Sequence, residues 1–310
     1  MTTQVLSPTV LRGVVLIVIT ALLISLQDLT FKLFSGNMSL WQIFALRGII
    51  ALPLLMLVAR YQRQLRDVLL GAYAPWALMR TLCMTLAFAI FYGALPFISL
   101  ATAGAGIYLA PIFVALITVF VVKEPLHPLG WLGVCLGFLG VVVLLRPGSD
   151  AFTVFAALPL ASAVFYALAI VITRTRCQGV PAEALALSFN ASLMLAGFVV
   201  SLVFAVWPPT GALAENYPFL FGLWSDVQAV DWTALIGLAV FAALIGVLLA
   251  KAYQIAPPTT IATFEYSYIV FVVIWDVLFF GVALTSSSLL GIAMIIGAGL
   301  LVMQRRSASG

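Results

Sequence analysis

The fold is decided by FYGALPFISLATAGAGIYLAPIFVAL (residues 91–116), which recurs in diverged form as LAKAYQIAPPTTIATFEYSYIVFVVI (residues 249–274), 158 positions further along the chain. The alignment superposes identical residues over three consecutive apolar segments: Ala94 on Ala252, Thr102 on Thr260, Tyr108 on Tyr266, Val114 on Val272 and Gly133 on Gly291. Chance recurrence of Ala, Gly and Tyr is the alternative explanation. The length of the match favours a repeat, so we predict that the two halves of the chain have the same architecture.

The amino-acid composition places this architecture in a membrane. Apolar residues make up 65% of the 310 residues and charged residues 8%, against about 45–50% and about 25% in an average soluble domain. More than half of the chain lies in continuous runs of about 20 apolar residues, the length of helix that crosses a hydrocarbon core about 30 Å thick. A transmembrane β-barrel would instead show short segments of alternating polarity. We therefore predict an all-α polytopic membrane protein.

Hydropathy and helix-breaking residues divide the chain into ten predicted transmembrane helices. They lie at 11–31, 39–59, 75–94, 97–122, 128–146, 153–173, 184–206, 232–252, 258–280 and 286–304. Residues 1–148 hold the first five-helix repeat and residues 149–310 the second. Because five is odd, the second repeat enters the bilayer from the opposite side. We therefore predict two inverted-topology repeats, the organisation in which secondary transporters bind substrate near the midplane and expose it to either side in turn.

The distribution of basic residues predicts the orientation of the chain. If the N-terminus is cytoplasmic, the outer side keeps only Lys32 and Arg146, and Arg47 lies within a span. The cytoplasmic side then holds the other eleven of the 14 basic residues: Arg12, Arg60, Arg63, Arg66, Arg80, Lys123, Arg174, Arg176, Lys251, Arg305 and Arg306. We predict a multi-pass protein of the bacterial inner (plasma) membrane with both termini in the cytoplasm.

Several motifs resemble those of the ten-helix drug/metabolite transporter superfamily, in particular its EamA-type members. They are residues 91–145, which run from FYGALPF to GVVVLL, AYQIAPP at 252–258 and GIAMIIGAGLLV at 291–302. Positions that are often polar or proline in one branch of this family are matched by Asp28, Lys32, Arg47, Arg80, Pro111 and Glu124. The resemblance covers nearly the whole chain. It implies a transporter whose fourth and ninth helices line a central cavity.

The predicted ninth helix carries two acids in the stretch TFEYSYIVFVVIWD (residues 263–276). Glu265 and Asp276 are eleven residues apart, so on a continuous helix they project from the same face about 16 Å apart. An ionisable residue in hydrocarbon costs about 2.5 kcal/mol or more and usually faces the protein interior. We predict a substrate-binding set in which Glu265 pairs with an ammonium group or carries a coupling proton: Glu265, Tyr108, Tyr166, Tyr266, Tyr268 and Arg47. The alternative for each residue is a structural role in helix packing.

The remaining intramembrane charges fall into two layers when they are sorted by depth along their helices. Those near the outer ends of the spans are Asp28, Lys32 and Asp276, and those in the inner half, near Glu265, are Arg80 and Lys251. We predict that these five residues act in gating or coupling, with structural ion pairs as the alternative. Pro111 lies inside the predicted fourth helix, where proline frees a backbone carbonyl and kinks the helix. We therefore predict a hinge at Pro111.

These features together predict a secondary active transporter that moves a small polar, amino-acid-like metabolite across the inner membrane by alternating access, with export favoured over import. The alternative is uptake of a vitamin or other nutrient by proton symport or facilitated diffusion. A channel is disfavoured, because it would need a continuous polar pore and the intramembrane charges are few and fall into separate layers. An enzyme is also disfavoured, because the single histidine, His127, belongs to no metal or hydrolase motif. We therefore predict no catalytic or metal-binding residue and no cofactor. The predicted partners are the substrate, the lipid bilayer and protons as coupling ion, without nucleic acid, in a monomer or homodimer.

Overall fold

The computed structural model describes residues 7–34, 38–62, 64–94, 106–107, 109–145, 157–280 and 286–303, and within these ranges all regular secondary structure is helical. In chain order, the helices of the described residues are α1 (Pro8–Phe34), α2 (Leu40–Tyr61), α3 (Leu65–Ala72), α4 (Pro75–Ala94), α5 (Ala110–Phe120), α6 (Pro128–Leu145), α7 (Ala157–Arg176), α8 (Ala182–Val206), α9 (Ala212–Asn216), α10 (Pro218–Phe221), α11 (Ala229–Ile255), α12 (Pro258–Glu265), α13 (Ser267–Phe280) and α14 (Ser286–Met303). The all-α class predicted from the sequence is confirmed.

Seven helical segments within the described residues are long and apolar enough to cross a bilayer: Pro8–Thr30, Leu40–Tyr61, Pro75–Ala94, Ala157–Arg176, Ala182–Val206, Ala229–Ile255 and Pro258–Phe279. Three shorter apolar helices lie at Ala110–Phe120, Pro128–Gly140 and Leu289–Ala298. Large apolar side chains such as Leu57, Leu202 and Leu278 are exposed on these helices, as expected of surfaces that face lipid. The chain is therefore a polytopic membrane protein, and the count of ten spans stays a prediction.

The described chain divides into two compact units. The first unit comprises Met1–Ser25, Leu86–Gly179 and Leu248–Gly310, and the second comprises Leu26–Thr85 and Val180–Val247. Each unit thus draws on both sequence halves. The division of the chain into repeats at residue 148 stays a prediction.

Close packing of α6 against α14 builds the first unit. A Cβ atom added to Gly140 would lie 2.9 Å from the carbonyl oxygen of Gly291 and 3.0 Å from Cβ of Met294, and one added to Gly137 would lie 3.5 Å from Cβ of Ala298. Partner numbers fall as residue numbers rise, so the two helices run antiparallel. Small residues let helix backbones approach closely in membranes, and Gly140 therefore determines how near α6 and α14 can lie.

The second unit contains a similar contact between α2 and α8. A Cβ atom added to Gly197 would lie 2.5 Å from the carbonyl oxygen of Trp41 and 2.7 Å from the backbone nitrogen of Ala45. Only glycine fits there without displacing backbone. α3 packs against α2 and α8 through its buried residues Val68 and Ala72. Hydropathy predicts only a connection in the region of α3.

The start of α2 also anchors the connection between α8 and α11, which lies in the second unit. Indole Nε1 of Trp41 donates to the carbonyl oxygen of Leu220 at 2.8 Å. The fully buried amide of Gln42 donates to the carbonyl oxygen of Ser225 at 2.7 Å and accepts from its backbone N–H at 3.0 Å. This connection is therefore fixed to α2 from residue 220 onward.

Two details of helix geometry could not be read from hydropathy. The predicted ninth span contains a one-residue turn: α12 ends at Glu265, α13 begins at Ser267, and Tyr266 lies between them with right-handed helical angles. The carbonyl of Tyr266 accepts from the N–H of Ile269, a three-residue bond that tightens the chain locally. Pro111 lies in the first turn of α5. Residues 97–105 and 108 of the predicted fourth helix lie outside the described residues, so the hinge at Pro111 stays a prediction.

Candidate functional site

The site is centred on the carboxylate of Glu265, in the first unit. Glu265 is the last residue of α12, directly before the interruption at Tyr266. Its Oε1 atom accepts a hydrogen bond of 2.7 Å from the hydroxyl of Tyr166 on α7. Taken as a whole residue, the glutamate is partly buried.

Two further tyrosines, both fully buried, surround the carboxylate: Tyr253 in the last turn of α11 and Tyr266 at the interruption. Both interact electrostatically with Glu265. The Tyr253 hydroxyl makes no hydrogen bond of ordinary distance and angle to any described residue, although it lies near enough to the carboxylate of Glu265 to interact with it. The buried Oγ of Ser267, at the start of α13, likewise lacks a described hydrogen-bonding partner. Unsatisfied buried hydroxyls are rare in native proteins, and here two belong to this site or to the adjoining helix end.

The position of Tyr266 depends on a glycine in α6. A Cβ atom added to Gly137 would lie 2.5 Å from Cε2 and 2.6 Å from Cδ2 of the Tyr266 ring. Ile269 and Ile295 pack with the same ring in a buried cluster. The ring of Tyr266 therefore fills the space that a side chain at residue 137 would occupy.

A hydrogen-bond network ties the helices that carry Tyr166 and Tyr253 to each other. Arg174, at the end of α7, donates to the carbonyl of Gln254 at the end of α11. The side-chain amide of Gln254 donates to the carbonyl of Cys177 at 2.6 Å. These reciprocal contacts fix the two helix ends and therefore help to hold the tyrosines next to Glu265.

The structure brings together only part of the predicted substrate-binding set. Tyr166 donates a hydrogen bond to Glu265, and Tyr266 interacts with Glu265 electrostatically. Tyr268 is partly buried and packs against the apolar cluster around Tyr266. Tyr108 lies outside the described residues. The contribution of each residue to substrate binding stays a prediction.

Arg47 and Arg80 are both buried in the second unit. The Arg47 guanidinium lies 5.5 Å from the ring centroid of Phe44. The Arg80 guanidinium lies 5.9 Å from that of Phe189 and donates to the carbonyl oxygen of Leu185 at 3.1 Å. Such contacts with aromatic faces and carbonyls lower the cost of burying a cation.

The structure gives little information on the other four residues predicted to act in gating or coupling. Lys251 is exposed on α11 and is not among the described contacts of Glu265. Asp28 is partly buried on α1. The side chains of Lys32 and Asp276 lie outside the described residues. The gating and coupling roles therefore stay predictions.

Tyr253, Gln254 and Gly137 were missed in the sequence analysis. Tyr253 and Gln254 lie within the motif AYQIAPP, so the signal was present as a family-like motif. The two prolines at 257 and 258 separate Tyr253 from Glu265, so no helical periodicity relates the two residues. Gly137 lies in a glycine-rich span in which the sequence does not distinguish one packing contact from another.

Comparison with known proteins supports the resemblance seen in the sequence. Residues 11–146 match the EamA-like transporter family, and relatives named as transporters align with the chain, one of them over 95% of its length. The chain is therefore similar to EamA-like transporters.

Two relatives and one solved structure show how far this likeness extends. A Helicobacter pylori protein named "uncharacterized transporter" is 27% identical over 95% of each chain. A Brucella anthropi protein named "riboflavin transporter" is 28% identical over 64% of this chain and 66% of its own. A crystal structure 18% identical in sequence superposes with a TM-score of 0.74 over 97% of this chain and 99% of that chain, a likeness of fold.

Proposed function

We propose that this protein is an EamA-like secondary active transporter that exports a small, polar, amino-acid-like metabolite by alternating access. The observation that carries the proposal is the carboxylate of Glu265, which lies in a membrane helix and accepts a hydrogen bond from Tyr166. A carboxylate in hydrocarbon is costly and marks a substrate or ion pathway more often than a packing contact. An ammonium group is the natural counterion for it, and a coupling proton can occupy the same carboxylate when the solute has left.

The sequence supports our proposals for the energy source and the orientation. The chain has no phosphate-binding loop of the G-x-x-x-x-G-K-[ST] type, so an ion gradient, with protons as the coupling ion, is the proposed driving force. The excess of basic residues on one side supports cytoplasmic termini in a bacterial inner membrane. Two inverted five-helix repeats, divided near residue 148, are the proposed basis of alternation.

Reconstituted vesicles test this function. Purified full-length protein is screened for thermal stabilisation by amino acids, polyamines, carboxylates, nucleosides and vitamins, because a solute that binds the folded state raises its stability. The solutes that stabilise are then loaded into proteoliposomes, and efflux is measured with and without a proton gradient. We expect an amino acid to stabilise the wild type and to be transported, and both effects to be lost in Glu265→Gln. Equal stabilisation of the variant would contradict the role of Glu265.

Uptake of a vitamin is the second candidate, favoured by the relative named as a riboflavin transporter. The tyrosines around Glu265 would suit a flat ring system, because aromatic side chains stack on such solutes. The same screen separates the two candidates. Stabilisation by riboflavin, retained in Glu265→Gln and accompanied by uptake into vesicles, would favour the vitamin over the amino acid.

A further inference from the structure

The Tyr253 hydroxyl lies next to the Glu265 carboxylate without a hydrogen bond of ordinary geometry. Tyr253 is fully buried, and its hydroxyl interacts with Glu265 but has no described partner at ordinary hydrogen-bonding distance and angle. The neighbouring Tyr166 hydroxyl, by contrast, donates to Oε1 of Glu265 at 2.7 Å. Because buried hydroxyls in native proteins nearly always have a well-formed partner, a hydroxyl in this state beside a carboxylate indicates a group that gains a partner when a ligand binds.

The hydrogen-bonding capacity of the site matches one chemical group. A tyrosine hydroxyl donates one hydrogen bond and can accept another, whereas an ionised carboxylate only accepts. A primary ammonium carries three N–H donors and one positive charge. Glu265 can neutralise the charge and accept N–H groups, and the Tyr253 oxygen can accept one more. A trimethylated ammonium has the same charge but no N–H, so it would leave Tyr253 without a partner.

We propose that Glu265 and Tyr253 together form a binding site for the primary ammonium group of the transported solute, an inference that rests on the transport function proposed above. Glu265 supplies the charge, and Tyr253 makes the site specific for N–H donors. Tyr166 is a positioning residue, because its hydrogen bond orients the carboxylate. Tyr266, which Gly137 accommodates, forms a buried wall of the site.

The test uses purified full-length protein in detergent and a pair of probes, 2-phenylethylammonium and its N,N,N-trimethyl analogue. Neither probe has a carboxylate, so they report on the ammonium site alone. Affinities are measured by calorimetry for the wild type, Tyr253→Phe, Glu265→Gln and the control Tyr61→Phe, whose ring is 90% exposed in the second unit.

We expect the wild type and the control to bind the primary ammonium about tenfold more tightly than the trimethyl analogue. Tyr253→Phe should lose about fivefold to tenfold in affinity for the primary ammonium, the effect of one hydrogen bond, and nothing for the trimethyl analogue. Glu265→Gln should weaken both probes. A variant that is merely misfolded would weaken both probes equally, so the ratio of the two affinities is the decisive quantity.

Three results would overturn the proposal: no binding of either probe to the wild type, equal binding of both probes to the wild type, or an unchanged ratio in Tyr253→Phe. The first two need no variant, so the proposal stays testable even if Tyr253→Phe fails to fold. Amino-acid efflux from wild-type vesicles together with an unchanged ratio would overturn this site and leave the transport function. The expected ratios without transport of any amino acid would overturn that function and leave the site.

Discussion

Replacing Gly137 by alanine tests whether the position of Tyr266 depends on the absence of a side chain in α6. The added Cβ would lie 2.5 Å from Cε2 and 2.6 Å from Cδ2 of the ring. Carbon atoms in contact are normally about 3.5–4.0 Å apart, so the ring or the helix must move by about 1 Å. Tyr266 is fully buried and packs with Ile269 and Ile295, so the ring has little space in which to move.

The expected loss of stability follows from two opposing effects. Overpacking of a filled site costs about 1–3 kcal/mol, whereas replacing a helical glycine by alanine gains about 1 kcal/mol. Gly237 in α11 provides the matched control, because no atom lies within 4 Å of a Cβ built there. Gly237→Ala should therefore show only the gain in stability of about 1 kcal/mol. The difference in unfolding free energy between the two variants isolates the packing cost of about 1–3 kcal/mol.

Thermal unfolding of both variants in the same detergent measures this difference. We expect the apparent midpoint of Gly137→Ala to lie several degrees below that of Gly237→Ala, since about 1 kcal/mol shifts the midpoint of a large domain by about 2–4 °C. Binding of 2-phenylethylammonium should also weaken in Gly137→Ala, because the displaced ring adjoins Glu265. Equal midpoints and unchanged binding would refute the packing argument.

Three further substitutions test other contacts by thermal unfolding. Tyr166→Phe removes the donor to Glu265 and should cost about 1.5–3 kcal/mol, the value of a hydrogen bond to a charged group; an unchanged midpoint would mean that the bond contributes nothing. Gln254→Leu removes the donor to the carbonyl of Cys177 and should cost about 0.5–1.5 kcal/mol, against less than about 0.5 kcal/mol for the exposed control Gln62→Leu; similar midpoints would contradict the network. Lys123 has a φ of 63°, a backbone angle that costs a non-glycine residue about 1–2 kcal/mol. Lys123→Gly should therefore raise the unfolding midpoint. A lower midpoint would show that the substitution relieves no strain.

The sequence was sufficient for those parts of the fold that depend on transfer from water to lipid. Long apolar runs indicated most of the membrane helices to within a few residues. The sequence also identified Glu265 as a candidate site residue, because an ionisable group in hydrocarbon is energetically costly. Helical rise also predicts a depth for each charge. It could not give the direction in which a side chain points, and Lys251, placed near Glu265 by depth, is exposed.

The remaining features depend on contacts that no local pattern encodes. The interruption at Tyr266 falls in a stretch without proline or glycine, TFEYSYIVFVV, so no breaker indicates it. The approach of Tyr253 to Glu265 results from the packing of α11 and α12 on either side of two prolines. Gly137 and Gly140 lie one turn apart in the same span, yet one accommodates an aromatic ring and the other a helix backbone.

The anchoring of the connection between α8 and α11 has a practical consequence for mapping the membrane sidedness of this protein. From residue 220 onward the connection is held to α2 by Trp41 and Gln42, whereas Gly211 has a φ of 79° and open space around it. Exposed, weakly held loop positions tolerate inserted sequence. An epitope inserted just before Gly211 should therefore leave the anchored portion intact. Antibody staining of spheroplasts, before and after permeabilisation, would then reveal directly which compartment this connection faces.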